Sequence, residues 1–161
     1  MRKWLELVAY LSEESALMGT RINAVALLDL YEAGRAELVE VDGQIVAFAA
    51  LWDTPSEDWF ELGSVWVHPE FRGRSFGSQV FQKLLVLAQA YKVFLITHNP
   101  KIMHLALQAG WIEADLSTWS NVPFLATCDP CDRWQTDGER MRCKYRATRS
   151  DCQLFFFSPP K

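Results

Sequence analysis

The chain reads as a mixed α/β fold, a β-sheet flanked by helices, and three observations predict that class. Two β-rich runs surround Asp42-Gly43, a dipeptide suited to a tight hairpin turn. A helical apolar period over 76–91 lies between strand-like runs at 59–67 and 93–97, which implies a crossover and a locally parallel pair. Half of the 161 residues are hydrophobic and 22% are charged, so the chain can bury a substantial core, unlike a disordered sequence.

Taken in order, residues 4–17 place Trp4, Leu7, Val8 and Leu11 on one helical face, although Leu5, Leu7, Ala9 and Leu11 also alternate as in a strand. Ile22, Val25, Ala26 and Leu30 predict a second helix after Gly19-Thr20, with Thr20 as N-cap and Gly34 as its stop. The hairpin occupies 36–52, and after a polar, Pro-containing loop the next strand ends at Val65-Trp66-Val67 before His68-Pro69. Val80, Leu84, Leu87 and Tyr91, widened by Phe81, Leu85 and Ala88, give the crossover helix its buried face. Residues 93–97 form a continuous apolar run, as in a strand covered on both faces, and a short helix from Pro100 stops at Gly110. Length predicts one domain, with a core over 1–127 and a cysteine-bearing hairpin over 128–161 completing it.

Sixteen Lys and Arg against twenty Asp and Glu leave a net charge of −4, the wrong sign for a protein held on nucleic acid or a membrane surface by its overall field. The start Met1-Arg2-Lys3-Trp4 is basic and then apolar, but Glu6, Glu13 and Glu14 interrupt it short of a signal peptide or a membrane span. A cytoplasmic protein with no membrane partner is expected. Four cysteines in a reducing compartment then need another account than a disulfide framework.

The most informative stretch is Val65-Trp66-Val67-His68-Pro69-Glu70-Phe71-Arg72-Gly73-Arg74-Ser75-Phe76-Gly77-Ser78, a strand, a small-residue turn and a helix start. Gly73, Ser75, Gly77 and Ser78 keep side chains small where unpaired backbone N–H groups open a helix. A pyrophosphate can approach such amides, and Arg72 and Arg74 add charge beside them. The same composition also serves close helix–strand packing alone. Neither a Gly-Lys-Ser/Thr loop nor a three-glycine dinucleotide fingerprint is present.

Arg72-Gly73-Arg74-Ser75-Phe76-Gly77 resembles the Arg/Gln-x-x-Gly-x-Gly/Ala signature of the GNAT superfamily of acyl-CoA-dependent N-acyltransferases, with Ser75 for the middle glycine. Asn99 after the apolar strand, then a short helix and Gly110-Trp111, is similar to a second family element. The resemblance covers about residues 36–115 and implies a strongly twisted mixed sheet, its central strands splayed to admit the pantetheine arm of acetyl-CoA. The N-terminal helices would form part of the acceptor wall.

The resemblance also implies roles. The backbone of Val65 and Val67, flanking Trp66, would pair with pantetheine amides, and one N–H there would face the thioester oxygen and stabilise its developing charge. Arg72, Gly73, Arg74, Ser75, Phe76, Gly77 and Ser78 would hold the pyrophosphate. Asn99 would bond the cofactor or a water, or else serve only as a turn residue before Pro100. Glu61 is the candidate base for the acceptor ammonium, or a solvated strand-end carboxylate. Many relatives carry a Tyr acid seven residues after the Asn, and here that position is Ala106. His104, His98, Tyr145 or water would have to replace it, and His104 also reads as plain surface.

Cys128-Asp129-Pro130-Cys131 forms a CxxC knuckle, and Cys143 and Cys152 sit on two later strand-like runs. Four thiols in one short segment suit structural zinc; unconnected buried or exposed thiols and a catalytic cysteine are the other readings. The alternating bases from Arg140 to Arg146 read as a solvated face.

These readings converge on an N-acetyltransferase that passes the acetyl group of acetyl-CoA directly to a primary amine in a ternary complex. The alternatives are an idle acyl-CoA-binding or zinc-stabilised interaction module, motivated by Ala106 and the cysteine tail, and a nucleic-acid-binding zinc module. The acids Glu13, Glu14, Glu57, Asp58 and Glu61 either draw a cationic amine or are simply surface.

Overall fold

The computed structural model describes residues 1–14, 23–54, 58–97 and 99–113, and the backbone of 153–157. The elements are α1 (Arg2–Glu13), α2 (Ala24–Glu32), β1 (Ala36–Val41), β2 (Gln44–Asp53), β3 (Trp59–Val67), a 3-10 turn at Pro69–Phe71, α3 (Phe76–Ala88), β4 (Lys92–Thr97), α4 (Pro100–Gln108), β5 (Ile112–Glu113) and β6 (Gln153–Phe157). The chain divides into two compact units, residues 1–52 with 62–90 and residues 53–61 with 91–161. The boundary expected at 127/128 lies outside the described residues.

In the first unit the strand order is β1-β2-β3. Asp42 (φ 50°) and Gly43 (φ 81°) are both left-handed, as a two-residue turn matched to strand twist requires, and β1 pairs antiparallel with β2. β2 is buried from Ile45 to Trp52. Residues 2–13 are helical, which settles the ambiguity of that segment: Trp4, Leu7 and Leu11 are buried at helical spacing, and Trp4 packs edge-on against Phe48 at 6.1 Å. Full burial of a ring such as Phe48 contributes about 1.5–3 kcal/mol.

Two helix ends differ from expectation. α2 is capped by Asn23 and not by Thr20: Asn23 Oδ1 accepts from the N–H of Val25 and of Ala26 at 2.9 and 3.2 Å, which satisfies two of the open amides at the helix start. Its other end stops at Gly34 (φ 69°) as predicted, with Arg35 N–H donating to Leu30 O and Gly34 N–H to Tyr31 O, the paired bonds of a Schellman motif. α3 buries Val80, Phe81, Leu84 and Ala88 but ends before Tyr91, because Gln89 and Ala90 turn back onto Val86 O and Leu87 O.

In the second unit the order is β3-β4-β6-β5. Tyr91 belongs here and stacks edge-on against Phe60 at 4.7 Å. The predicted parallel pair is present, with Trp59–Glu61 of β3 against Lys92–Phe94 of β4. That ladder ends six residues before β3 does. β4 and β5 both pair antiparallel with β6. α4 stops at Gly110 (φ 79°), and Ile102 and Ala106 form its buried side.

Candidate functional site

The first unit builds a turn between β3 and α3. Leu62 and Trp66 anchor this end of β3 in the core, while Val65 and Val67 are half-buried. Between them Ser64 is left-handed (φ 55°), which rotates the adjoining peptide planes out of the ladder's regular alternation. His68 then clamps the strand's exit. It is 6% exposed, its N–H donates to Val46 O at 2.9 Å, its Nδ1 accepts from the Glu70 N–H at 3.3 Å, and its ring meets Tyr10 edge-on at 4.5 Å.

Past the 3-10 turn, Gly73 (φ 84°) and Ser75 (φ 63°) both take left-handed backbone, and Ser75 is the N-cap of α3. Its hydroxyl makes no capping bond, and the helical ladder begins with Gln79 N–H to Ser75 O at 3.0 Å. The N–H groups of Phe76, Gly77 and Ser78 therefore open the helix without an intrahelical or side-chain cap, at its positive end. A Cβ on Gly77 would stand 3.1 Å from Val67 Cγ2, so glycine here lets the helix start press directly on the end of β3. The packing reading and the anion reading of this turn thus describe one geometry, since close approach sets the free amides beside Val67.

The left-handed backbone at Ser75 is one that the glycine of the signature suits better than serine. Glycine adopts φ 63° freely, whereas an L-residue there is strained by roughly 1–2 kcal/mol. We expect Ser75→Gly to be neutral or stabilising by up to about 1 kcal/mol, after the greater chain entropy of glycine is subtracted. Ser75→Val should destabilise by about 1–2 kcal/mol. Urea denaturation midpoints of the two variants check the sign.

Both arginines are exposed but engaged. Arg72 Nε donates to Val67 O at 3.1 Å and Nη2 pairs with Glu14 Oε1 at 2.5 Å, while the Arg74 guanidinium lies 5.0 Å over the Phe71 ring.

In the second unit Glu61 is half-buried in β3, opposite Phe94. Asn99 caps α4: its Oδ1 accepts from Lys101 N–H at 3.0 Å, and its own N–H donates to Thr97 Oγ1 at 3.1 Å. His104 is exposed on α4, and Ala106 is fully buried. Of the acids considered for drawing a cationic amine, Glu14 and Asp58 are ion-paired, with Arg72 and Lys92. Cys128, Cys131, Cys143, Cys152, His98 and Tyr145 lie outside the described residues, among which no metal-binding group occurs.

Three features of the site escape the sequence reading. Gly63-Ser64 inside a strand was a visible signal of the left-handed break, and a side-chain acceptor immediately before Pro69 was a signal of the His68 cap. Nothing local announces the pairing of Arg72 with Glu14, 58 residues apart.

Known proteins bear on this geometry. No helix among the described residues is long and apolar enough to cross a membrane. The model of the acetyltransferase (GNAT) family matches residues 4–111. An amino-acid acetyltransferase of Aliivibrio fischeri (strain MJ11) is 31% identical over 114 residues, covering 70% of this chain. The match spans a quarter of that relative's length. Among solved structures, N-acetylglutamate synthase from Neisseria gonorrhoeae, complexed with coenzyme A and N-acetyl-glutamate, aligns with all of this chain and 33% of its own, at TM-score 0.60 and 16% identity. Ribosomal-protein-alanine N-acetyltransferase from Brucella melitensis aligns with 71% of this chain and 82% of its own, at TM-score 0.56 and 19% identity. The fold is the one these structures share, and with the family model matching over most of its length the chain belongs to the GNAT acetyltransferase family.

Proposed function

We propose that the protein transfers the acetyl group of acetyl-CoA to the α-amine of a free amino acid, directly and in a ternary complex. The observation that carries the donor half is the start of α3, uncapped and pressed against Val67 by Gly77. Its amides suit a pyrophosphate, with Arg72 and Arg74 beside them. The amino-acid acetyltransferase relative supports the acceptor class.

When bound, acetyl-CoA supplies an activated acyl carbonyl. The chain's own task is to orient that carbonyl and to receive a proton. The left-handed Ser64 interrupts the regular alternation of β3 beside Val65, and an N–H directed at the carbonyl oxygen from Val65 would stabilise charge developing there. Glu61, four residues earlier in the same strand, takes the proton that an ammonium must lose before it attacks, directly or through water. With Ala106 in place of a phenol, the departing thiolate takes its proton from water or from His104. A reducing cytoplasm suits both this chemistry and four cysteines kept as thiols or zinc ligands.

The test is release of free thiol from acetyl-CoA in the presence of the twenty amino acids, a peptide with a free N-terminus, a lysine-containing peptide and a polyamine. Turnover with one or a few amino acids is expected. Turnover confined to peptides would overturn the acceptor assignment, and binding of acetyl-CoA without turnover on any amine would leave the idle binding module.

A further inference from the structure

We propose that Glu14 is a positioning residue that holds Arg72 in the orientation needed to receive a phosphate of the acyl donor, an inference that rests on the cofactor reading above. Glu14 is the C-cap of α1, beside Glu13, and the last turn of that helix carries no basic residue. Carboxylates at the negative end of a helix work against its dipole, so α1 itself does not explain them. The explanation lies across the turn. Glu14 Oε1 takes Arg72 Nη2 at 2.5 Å, while Val67 O takes Nε at 3.1 Å. The two acceptors grip one edge of the guanidinium plane.

A guanidinium has five N–H donors in a fixed fork. Two are spent on Glu14 and Val67, and the other three have no partner among the described residues. These include both donors of Nη1, so Arg72 can keep both anchors and still present a free edge. The side chain of Arg72 is 53% exposed and that of Glu14 25%, so the pair lies where a solvated anion can reach the arginine while the carboxylate is more enclosed. Arg72 immediately precedes Gly73 and the open amides of α3, and its backbone is extended (φ −63°, ψ 150°) at the close of the 3-10 turn. Without Glu14 the guanidinium would have one anchor, a neutral carbonyl, and its freedom would have to be lost when the phosphate binds. Holding one such side chain in advance is worth about three- to tenfold in affinity.

Calorimetric titration with coenzyme A of the unaltered chain, Glu14→Ala, Glu14→Gln, Arg72→Lys and the Glu14→Ala/Arg72→Lys double variant tests this. Kd should rise about three- to tenfold in Glu14→Ala and less in Glu14→Gln, which keeps one neutral acceptor. The Glu14→Ala effect should vanish in the Arg72→Lys background, where no fork remains to be aimed. A Kd unchanged or lowered in Glu14→Ala would overturn the proposal, the lowered value marking Glu14 as a competitor of the phosphate. An equal loss in both backgrounds would also overturn it, since Glu14 would then act through something other than Arg72. No binding to the unaltered chain would overturn the cofactor reading and this one together, a result distinct from normal binding with an inert Glu14.

Discussion

Acetyl-CoA at a hundredfold excess over its Kd should raise the unfolding midpoint of the protein by about 5–11 °C, and Ser78→Glu should abolish that rise without weakening the fold. The first figure follows from linkage: such an excess stabilises the native state by about 2.7 kcal/mol, and a chain of this size gains about 2–4 °C per kcal/mol. The second follows from the open start of α3. Ser78 is the third residue of that helix, half-buried, and the N-cap Ser75 contributes no capping bond. A carboxylate at that position satisfies free amides and favours the positive end of the dipole, so α3 should gain a few tenths of a kcal/mol. It would also place negative charge where the pyrophosphate is to sit. Stability and ligand response should therefore move in opposite directions, which a merely misfolded variant cannot imitate. Scanning fluorimetry with and without acetyl-CoA reads both. A full ligand shift in Ser78→Glu would remove the phosphates from the start of α3.

Glu61→Gln should lower kcat by about 10²- to 10⁴-fold while the acetyl-CoA shift persists. The amide keeps the size of the carboxyl and its place opposite Phe94 but does not accept a proton at neutral pH. An amine acceptor arrives mostly as its ammonium, so the rate depends on a base wherever that deprotonation falls before attack. Thiol release under saturating donor, across a range of acceptor concentrations, separates lost turnover from lost binding. A kcat within about twofold of the unaltered chain would reduce Glu61 to a strand residue and move the search to water or another carboxylate.

The parts of the molecule that follow local rules were legible from the residues. Asp42-Gly43 closes a hairpin because two consecutive left-handed positions exclude most other pairs, and Gly34 and Gly110 stop their helices for the same steric reason. The small-residue turn was legible as a helix start open to an anion, although its left-handed serine emerged only from the backbone. The start of α2 was not legible, since Thr20 and Asn23 are both good cap residues by type and only the backbone shows that the helix begins after Asn23. Asn99 shows another limit. A side chain suited to a cofactor is equally suited to capping the helix that follows, and its oxygen is used in that way. Arg72 was readable as a charge near the turn but not as half of a pair, because a contact across 58 residues depends on how the whole unit closes.

The burial of β2 sets how this fold opens to water. Ile45 to Trp52 lie at 0–9% exposure, and the strand has β1 on one side and β3 on the other. Local fraying should not reach the amides at the middle of this strand, so their hydrogens are expected to trade with deuterium only when the first unit comes apart as a whole. Under conditions where closing outruns exchange, the slowest of them reports the free energy of that opening, measured in native buffer without denaturant. Bound donor should slow this exchange to the extent that it stabilises the unit, making eight buried residues a gauge of occupancy at a turn they do not themselves form.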